Sequence, residues 1–167
     1  MFDLKLVPHK EVSSRQLEEI IKIKSKAWPY SFDKQLEWIE TNLKESDIHV
    51  LLSLNETNVA YLNLIDVELN LDEIAIDGCG IGNVCTIEKG KGWGKEIISQ
   101  TNLYLEQRNK IGLLFCKNFL INFYGINNWK LIEKRKITLS FDNELIETMI
   151  FNCDKEFHIL KYLGKPF

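Results

Sequence analysis

The residues with the clearest chemical potential lie at positions 89–95, where glycine and lysine alternate as Lys-Gly-Lys-Gly-Trp-Gly-Lys. Glycine can adopt backbone conformations that side chains exclude, so three glycines at every second position allow successive amide N–H groups to turn toward one ligand. The stretch follows an apolar run (81–87) and precedes an amphipathic helical run (96–109). A helix N-terminus and three lysines both favour negative charge. The stretch therefore predicts a cradle for one small polyanion.

Two common phosphate-binding motifs do not fit this spacing. A P-loop has four residues between its first glycine and Gly-Lys-Ser/Thr, whereas Gly90 and Gly94 are separated by three and Lys95 is followed by Glu96. A dinucleotide-binding fingerprint would need glycine at 90, 92 and 95, and position 95 is lysine. Both motifs are excluded as written.

Length and composition suit one compact enzyme-sized domain spanning 1–167. The chain is 45% hydrophobic and 27% charged, enough to bury a core without metals or disulfides. Its net charge of −3 argues against nucleic-acid binding, which depends on neutralising phosphates. The N-terminal residues lack the apolar core of a signal peptide, and no run approaches the ~20 apolar residues of a membrane span. We therefore expect a cytoplasmic protein with neither nucleic acid nor membrane as a partner.

The four cysteines show no C-x-x-C spacing, and three of them lie in apolar runs. We interpret them as reduced, buried thiols of a cytosolic protein: Cys79, Cys85, Cys116 and Cys153. Cys85 has no neighbouring base in the sequence that would make it a catalytic thiolate.

The elements that must position the loop begin with a strand at 2–7 and two helices. Ser13 or Ser14 can cap the first helix, which ends near Ala27 before Pro29, and Ser31 can cap a second helix over 33–42. The residues expected to face the core are Leu17, Ile20, Ile21, Ile23, Leu36, Ile39 and Leu43. Strands at 48–54 and 59–69 then form a hairpin across 55–58.

The region around the loop reads as strand, loop, helix and strand from 80 to 115. Such a unit makes its two strands parallel. The strand before the loop should enter from a turn at Asp77-Gly78, the dipeptide favoured by a type I′ turn, which would separate 74–76 from 79–87. A short helix over 118–125 follows, and then 130–141 should pair with 144–151. The predicted fold class is α/β (mixed α+β), with a central, mostly antiparallel sheet that contains one parallel β-α-β unit.

The glycine stretch resembles the acetyl-CoA pyrophosphate loop of the GCN5-related N-acetyltransferases (GNAT), whose signature is Gln/Arg-x-x-Gly-x-Gly/Ala. Lys89, Gly92 and Gly94 take those places, with lysine for Gln/Arg. The family's preceding Val-x-Pro-x-x-Arg-Gly keeps its valine at Val84, while Thr86 replaces the proline.

A second similarity lies downstream. The family's Phe-Tyr-x-x-x-Gly-Phe/Trp appears from Phe123 to Trp129, with Asn128 in place of the glycine. Asparagine also tolerates the left-handed backbone conformation. Within the family, the residues at 80–84 and 113–116, together with the Phe-Tyr…Trp ending at 123–129, look most like aminoglycoside 2′-N-acetyltransferases.

The resemblance, which covers about 48–151, implies a GNAT fold with acetyl-CoA as co-substrate and no metal. It implies direct attack by a primary amine of a small molecule, such as an aminoglycoside or a polyamine, in a ternary complex. Tyr124 occupies the position of the family's general acid for the leaving thiolate. The implied cofactor-binding residues are Val84, Cys85, Thr86, Lys89, Gly90, Lys91, Gly92, Trp93, Gly94 and Lys95.

Several alternatives stay open on the sequence. The general base is unassigned among a water chain and five groups: Asp66, Glu68, Asp77, His158 and the carboxylate of Phe167. Tyr124 can also be a core aromatic whose hydroxyl bonds a carbonyl. Aromatic residues that would either line an acceptor pocket or only pack in the core are Trp28, Tyr30, Phe32, Trp38 and Tyr61.

The alternatives for the whole protein are an acyl-CoA-binding or regulatory module without turnover, and a nucleotide-binding protein that uses the same loop. We expect a monomer or a homodimer.

Overall fold

The computed structural model describes residues 1–167 and contains four α-helices and a nine-stranded sheet. The helices are α1 (Ser14–Ala27), α2 (Phe32–Asn42), α3 (Trp93–Gln107) and α4 (Ile121–Gly125). The strands are β1 (Phe2–Pro8), β2 (Ile48–Leu54), β3 (Thr57–Leu71), β4 (Ile74–Thr86), β5 (Ile111–Cys116), β6 (Lys130–Ile132), β7 (Ile137–Leu139), β8 (Glu147–Phe151) and β9 (Leu160–Tyr162). All of these helices fall short of what crossing a bilayer requires in length and apolar character.

The sheet is mixed, with the hydrogen-bonded order β1-β2-β3-β4-β5-β8-β6, and β9 joins β7 to β3. β4 and β5 run parallel, from Gly78↔Ile111 to Ile81↔Leu114. β2 is antiparallel to β1 and β3, and β8 is antiparallel to β5 and β6. This arrangement confirms the predicted fold class, including the parallel β-α-β unit around the glycine loop.

The chain divides into two compact units, one of residues 1–65 and 82–100 and the other of 66–81 and 101–167. The single domain expected from the sequence stays a prediction.

The first unit packs α1 and α2 on apolar side chains of the sheet. Ser13 and Gln16 form a capping box at the start of α1, and the Ser31 side chain caps α2, as the sequence predicted. The β2–β3 turn is tighter than expected, because Asn55 and Glu56 both have positive φ and β3 begins at Thr57. The buried core of this unit comprises Ile20, Ile21, Ile23, Ile39, Leu43, Leu51, Tyr61 and Cys85.

The second unit has a core formed by the far ends of β3 and β4 together with β5, β6, β8 and β9. Its buried residues are Val67, Leu69, Leu71, Ile111, Leu113, Ile132, Ile150, Leu160 and Tyr162. Gly112 is required by close packing, since a Cβ there would lie 2.6 Å from the Trp129 ring.

The predicted turn at Asp77-Gly78 is wrong. β4 runs unbroken from Ile74 to Thr86, and the turn lies at Asp72 and Glu73, whose φ values are +49° and +69°. The Asp72 carboxylate accepts main-chain N–H bonds from 158 and 159 at 2.8–2.9 Å, which holds this turn. Gly78 serves close packing instead, because a Cβ there would lie 2.9 Å from Leu69 Cδ1.

The predicted hairpin of 130–141 with 144–151 is also wrong for most of its first strand. Only Lys130–Ile132 pairs with β8. The chain then makes a short 3₁₀ turn, and β7 pairs in parallel with β9, a strand that the sequence analysis did not predict. β7 does not pair with β8, because its apolar side chains Ile137 and Leu139 pack against the buried cluster of the second unit.

Candidate functional site

The glycine loop leads from the end of β4 into the first turn of α3. Gly90 and Gly92 have φ of +78° and +79°, in the left-handed region that favours glycine. Gly94 lies within the first turn of the helix. The first helical bond runs from the Glu96 N–H to the Gly92 carbonyl at 3.0 Å, so α3 begins three residues before the expected start at 96.

The main-chain N–H groups of this loop are unpaired. No amide from residue 89 to 95 donates to another main-chain group, and no side chain accepts from them. Three of these donors belong to the first turn of α3, at the positive end of the helix dipole. A row of free donors at a helix start is a surface that binds anions.

The lysines of the loop are all exposed. Lys91 forms an ion pair with Glu88 at 3.2 Å. Lys89 and Lys95 make no ion pair, so their charge is available to a bound anion.

Near its end, β4 has one residue with positive φ and no longer pairs with β5. The parallel ladder with β5 ends at Ile81, whereas the strand continues to Thr86. Asn83 has a φ of +54°, and its Nδ2 donates to Asn63 Oδ1 at 2.6 Å. The next three residues are those predicted to hold the pantetheine arm. Val84 and Thr86 are half-buried and Cys85 is buried.

The cysteines are free thiols, as predicted; Cys153 is half-buried and the other three are buried. Burial raises the pKa of the Cys85 thiol to about 12 and that of Cys116 to about 11. Both side chains are therefore neutral thiols near pH 7 rather than nucleophilic thiolates. No group of His, Cys, Asp and Glu side chains has an arrangement that could hold a metal ion.

Tyr124 lies in α4, in the second unit. Its ring packs edge-on against Phe123 and Trp129, at centroid distances of 4.9 and 6.4 Å. The hydroxyl makes no hydrogen bond within the protein, so the alternative of a hydroxyl tied to a carbonyl does not describe it. Burial, followed by the nearby Cys116 thiol, raises the pKa of this phenol well above 10. Tyr124 therefore stays protonated and is a hydrogen-bond donor.

The segment after Tyr124 is fixed by polar contacts. Asn128 has a φ of +66°, which fits its place at the glycine of the family motif. Trp129 Nε1 donates to Asn102 Oδ1 of α3 at 3.0 Å, and Asn102 Nδ2 donates to the Asn127 carbonyl at 2.8 Å.

The groups considered as general bases are spread over exposed positions. Asp66, Glu68, Asp77 and His158 are all exposed. The Phe167 ring packs against Phe115, and a Cβ on Gly80 would lie 2.5 Å from it. Nothing in this arrangement singles out one of the five as a base.

A buried polar cluster in the first unit was not predicted from the sequence. His9 Nδ1 and His49 Nε2 are 3.0 Å apart, and His49 Nδ1 lies 2.9 Å from the Tyr61 hydroxyl. Lys24 of α1 is only 2% exposed, and its Nζ lies 4.0 Å from the centre of the Trp38 ring. Burial lowers the pKa of Lys24 to about 8 and that of His49 to about 4.

A sequence signal for this cluster did exist. Position 24 continues the apolar stripe of α1, three and four residues after Ile21 and Ile20. A lysine on that stripe predicts a buried amine. Of the aromatic residues considered as pocket lining, Trp38 and Tyr61 belong to this cluster, whereas Trp28, Tyr30 and Phe32 are exposed.

Comparison with known proteins adds evidence on the fold. No family model matches the sequence, and no curated protein matches it. An acyl-CoA N-acyltransferase from Pseudomonas aeruginosa superposes with a TM-score of 0.64 at 16% identity, covering 90% of this chain and 99% of that one. The N-acetyltransferase YlbP of Bacillus subtilis, in complex with coenzyme A, gives 0.60 at 15% identity, covering 92% and 98%. This chain has the fold of these N-acetyltransferases.

A third similar structure is the Campylobacter jejuni N-acetyltransferase PseH in complex with acetyl coenzyme A, with a TM-score of 0.58 at 14% identity, covering 89% of this chain and 98% of that one. The GNAT fold expected from the two motifs is thus confirmed. The similarity does not show nearness to aminoglycoside 2′-N-acetyltransferases.

Proposed function

We propose that this protein is an N-acetyltransferase that moves the acetyl group of acetyl-CoA to a primary amine of a small molecule. The observation that carries the proposal is the row of unpaired amides from 89 to 95 at the start of α3, directly after β4 of a parallel β4-α3-β5 unit. In the same fold, YlbP is solved with coenzyme A and PseH with acetyl coenzyme A.

The loop would bind the diphosphate of the carrier. The amides of Trp93, Gly94 and Lys95 point from the first turn of α3, and Lys89 and Lys95 add unpaired positive charge. Gly90, Lys91 and Gly92 would set the path of the chain into α3, since Gly90 and Gly92 have positive φ. The pantetheine arm would run along Val84, Cys85 and Thr86. A main-chain N–H of this strand would then stabilise the oxyanion that forms at the thioester carbon.

Tyr124 would act on the leaving thiolate. A coenzyme A thiol has an ordinary pKa of about 8.5, well below that of the buried phenol, so full proton transfer from Tyr124 would be uphill. A strong hydrogen bond from the hydroxyl to the developing thiolate costs no such transfer and still lowers the barrier. Tyr124 is thus proposed as the donor to sulfur.

The acceptor is proposed to be a polycationic amine, an aminoglycoside or a polyamine. This rests on the resemblance of 80–84 and 113–116 to aminoglycoside 2′-N-acetyltransferases. The exposed carboxylates of Asp66 and Glu68 on β3 suit such a substrate.

The test measures release of free thiol from acetyl-CoA with kanamycin, spermidine, glycine or a tripeptide as the acceptor. The proposal expects release with at least one amine, together with coenzyme A binding in isothermal titration that ATP does not displace. Binding without release would favour an acyl-CoA-binding module. Displacement by ATP would favour a nucleotide-binding protein.

A further inference from the structure

Asn102 of α3 holds the chain that follows α4 at two points. It is only 7% exposed, and its side-chain amide has a partner at each end. Oδ1 accepts from Trp129 Nε1 at 3.0 Å, and Nδ2 donates to the Asn127 carbonyl at 2.8 Å. An indole N–H can only donate and a carbonyl can only accept, so these two partners determine which way the amide points. Asn102 therefore connects α3 to two positions of the segment after Tyr124.

The same two residues are bonded to α4 at Tyr124 and directly before it. The Tyr124 carbonyl accepts main-chain N–H bonds from Asn127 at 2.9 Å and from Trp129 at 3.3 Å. Asn127 Nδ2 donates to the Phe123 carbonyl at 3.0 Å, and the Trp129 ring packs edge-on against the Tyr124 ring. Both residues that contact the Asn102 amide thus also fix the main chain of Tyr124. One further residue, Asn127 or Trp129, separates Asn102 from Tyr124 on either route.

Little within α4 itself can hold Tyr124 in place. The helix is five residues long, and no side chain caps it. A helix this short is not stable on its own in water. The Tyr124 hydroxyl makes no hydrogen bond within the protein, so the polar end of the ring is not fixed either. The position of Tyr124 therefore depends on ring packing and on the bonds that lead through Asn127 and Trp129 to Asn102.

We propose that Asn102 is a positioning residue for the acetyl transfer, and that it acts by setting the place of the Tyr124 hydroxyl. The inference rests on the proposed function, in which this hydroxyl donates to the departing thiolate of coenzyme A. Without the amide, a donor of Trp129 and an acceptor of Asn127 would lack partners, and both residues are buried. The segment would shift to satisfy them. A displacement of about 1 Å can lower a rate by about 100-fold.

Two substitutions remove the amide in different ways. Asn102→Leu replaces it with an apolar side chain of similar size, whereas Asn102→Ala leaves room in which water can satisfy the two groups. Asn102→Ala therefore keeps the test decisive if Asn102→Leu does not fold. Each is also combined with Tyr124→Phe. Leu160→Ala is the matched control, because it removes a completely buried side chain from the core of the second unit and leaves Asn102 in place.

The experiment measures kcat and KM by thiol release from acetyl-CoA, with whichever amine of the kanamycin, spermidine, glycine and tripeptide panel supports turnover. Isothermal titration gives the affinity for coenzyme A. Asn102→Leu and Asn102→Ala should each lower kcat by about tenfold or more, with KM and coenzyme A affinity close to wild type. In the Tyr124→Phe background they should lower kcat no further, because the hydroxyl that they position is absent. Leu160→Ala should keep kcat near wild type at a temperature at which it is folded.

Four results would overturn the inference while leaving acetyl transfer as the function. The first is unchanged kcat in both Asn102 variants, and the second is an equal loss of kcat in Leu160→Ala, which would assign the effect to lost stability. The third is a further loss of the same size in the Tyr124→Phe background, since Asn102 would then act by another route. The fourth is full kcat in Tyr124→Phe. Absence of wild-type turnover with every amine would instead overturn the proposed function and this inference together.

Discussion

Lys24 of α1 contacts Trp38 of α2 in the first unit, with the Lys24 ammonium over the indole ring, 4.0 Å from its centre. The ring quadrupole attracts the cation, and this contact contributes about 0.5–2 kcal/mol. The contact does not restore the hydration that Lys24 loses on burial, since its pKa falls to about 8. The pair therefore joins two helices while retaining an amine that changes charge within the physiological range.

The first prediction concerns stability. The pKa of Lys24 is lower in the folded protein, about 8, than its ordinary value of 10.5, so the folded state disfavours the charged amine. Stability should consequently rise as the pH increases from 8 to 10.5. Below pH 8 the penalty is fully present and corresponds to about 3 kcal/mol at most. Substitution of Lys24 removes this penalty but also removes the favourable contact with Trp38, which offsets part of the gain. Lys24→Met should therefore raise the free energy of unfolding at pH 7 by about 1–2 kcal/mol.

Urea unfolding at pH 7 and pH 10 checks this expectation, because the gain should shrink at the higher pH. Lys22→Met, at an exposed site on α1, should change neither value appreciably. Equal destabilisation by Lys24→Met at both pH values would contradict the account.

The second prediction concerns His49. This residue is completely buried, and burial followed by the charges of His9 and Lys24 lowers its pKa from 6.5 to about 4. The unfolded chain thus binds a proton between pH 6.5 and 4 that the folded protein does not. Stability should fall as the pH decreases through this window, with a contribution from His49 of about 3 kcal/mol at most.

The measurement is the free energy of unfolding between pH 7 and pH 4 for the wild type and His49→Gln. The variant loses its contacts with His9 and Tyr61, so it should be less stable at pH 7, but its pH dependence should be shallower. His158→Gln, an exposed control, should keep the wild-type slope. A wild-type slope in His49→Gln would show that other groups cause the acid sensitivity.

Much of the fold followed from local patterns, whereas the errors came from long-range packing. Ser13 and Ser31 predicted both helix starts because capping is decided within one turn of chain. Gly78 misled because an Asp-Gly pair looks the same whether glycine serves a turn or leaves room for Leu69. β9 was missed because its three residues pair with β7 and with the far end of β3, and neither partner is near in sequence.

The candidate site divides in the same way. The special backbone conformation of Gly90 and Gly92 could be predicted, since alternating glycines before a helix indicate it from the local sequence alone. The burial of Lys24 is indicated by its place on the apolar stripe of α1, but its position against an aromatic ring is not. That contact depends on Trp38, which reaches Lys24 from α2.

The third prediction separates the three glycines of the loop. Gly90 and Gly92 have positive φ with open space around them, so alanine there meets no steric obstacle but strains the backbone by about 1–2 kcal/mol. The strain should be relieved by distorting the loop, which misdirects its amides. Gly90→Ala and Gly92→Ala should each weaken coenzyme A binding by about tenfold, equivalent to about 1.4 kcal/mol.

Gly94→Ala is the control for this series. Its position lies in the first turn of α3, where alanine is a better helix former than glycine. Isothermal titration with coenzyme A should therefore give this variant an affinity near that of the wild type. Unchanged affinity in Gly90→Ala and Gly92→Ala would contradict a role for the loop amides.

The fourth prediction tests Tyr124. Its hydroxyl makes no hydrogen bond within the protein, so Tyr124→Phe removes no internal contact and should leave the free energy of unfolding within about 0.5 kcal/mol of wild type. The raised pKa keeps the phenol protonated up to at least pH 10, so its role as donor to the thiolate should persist over the whole assay range. Tyr124→Phe should therefore lower kcat by about 100-fold at every pH, with coenzyme A affinity nearly unchanged. Thiol release and isothermal titration on the same preparation make the comparison, and Phe123→Leu controls for ring packing in α4. Parallel loss of binding and turnover, or loss of neither, would argue that Tyr124 only packs against Trp129.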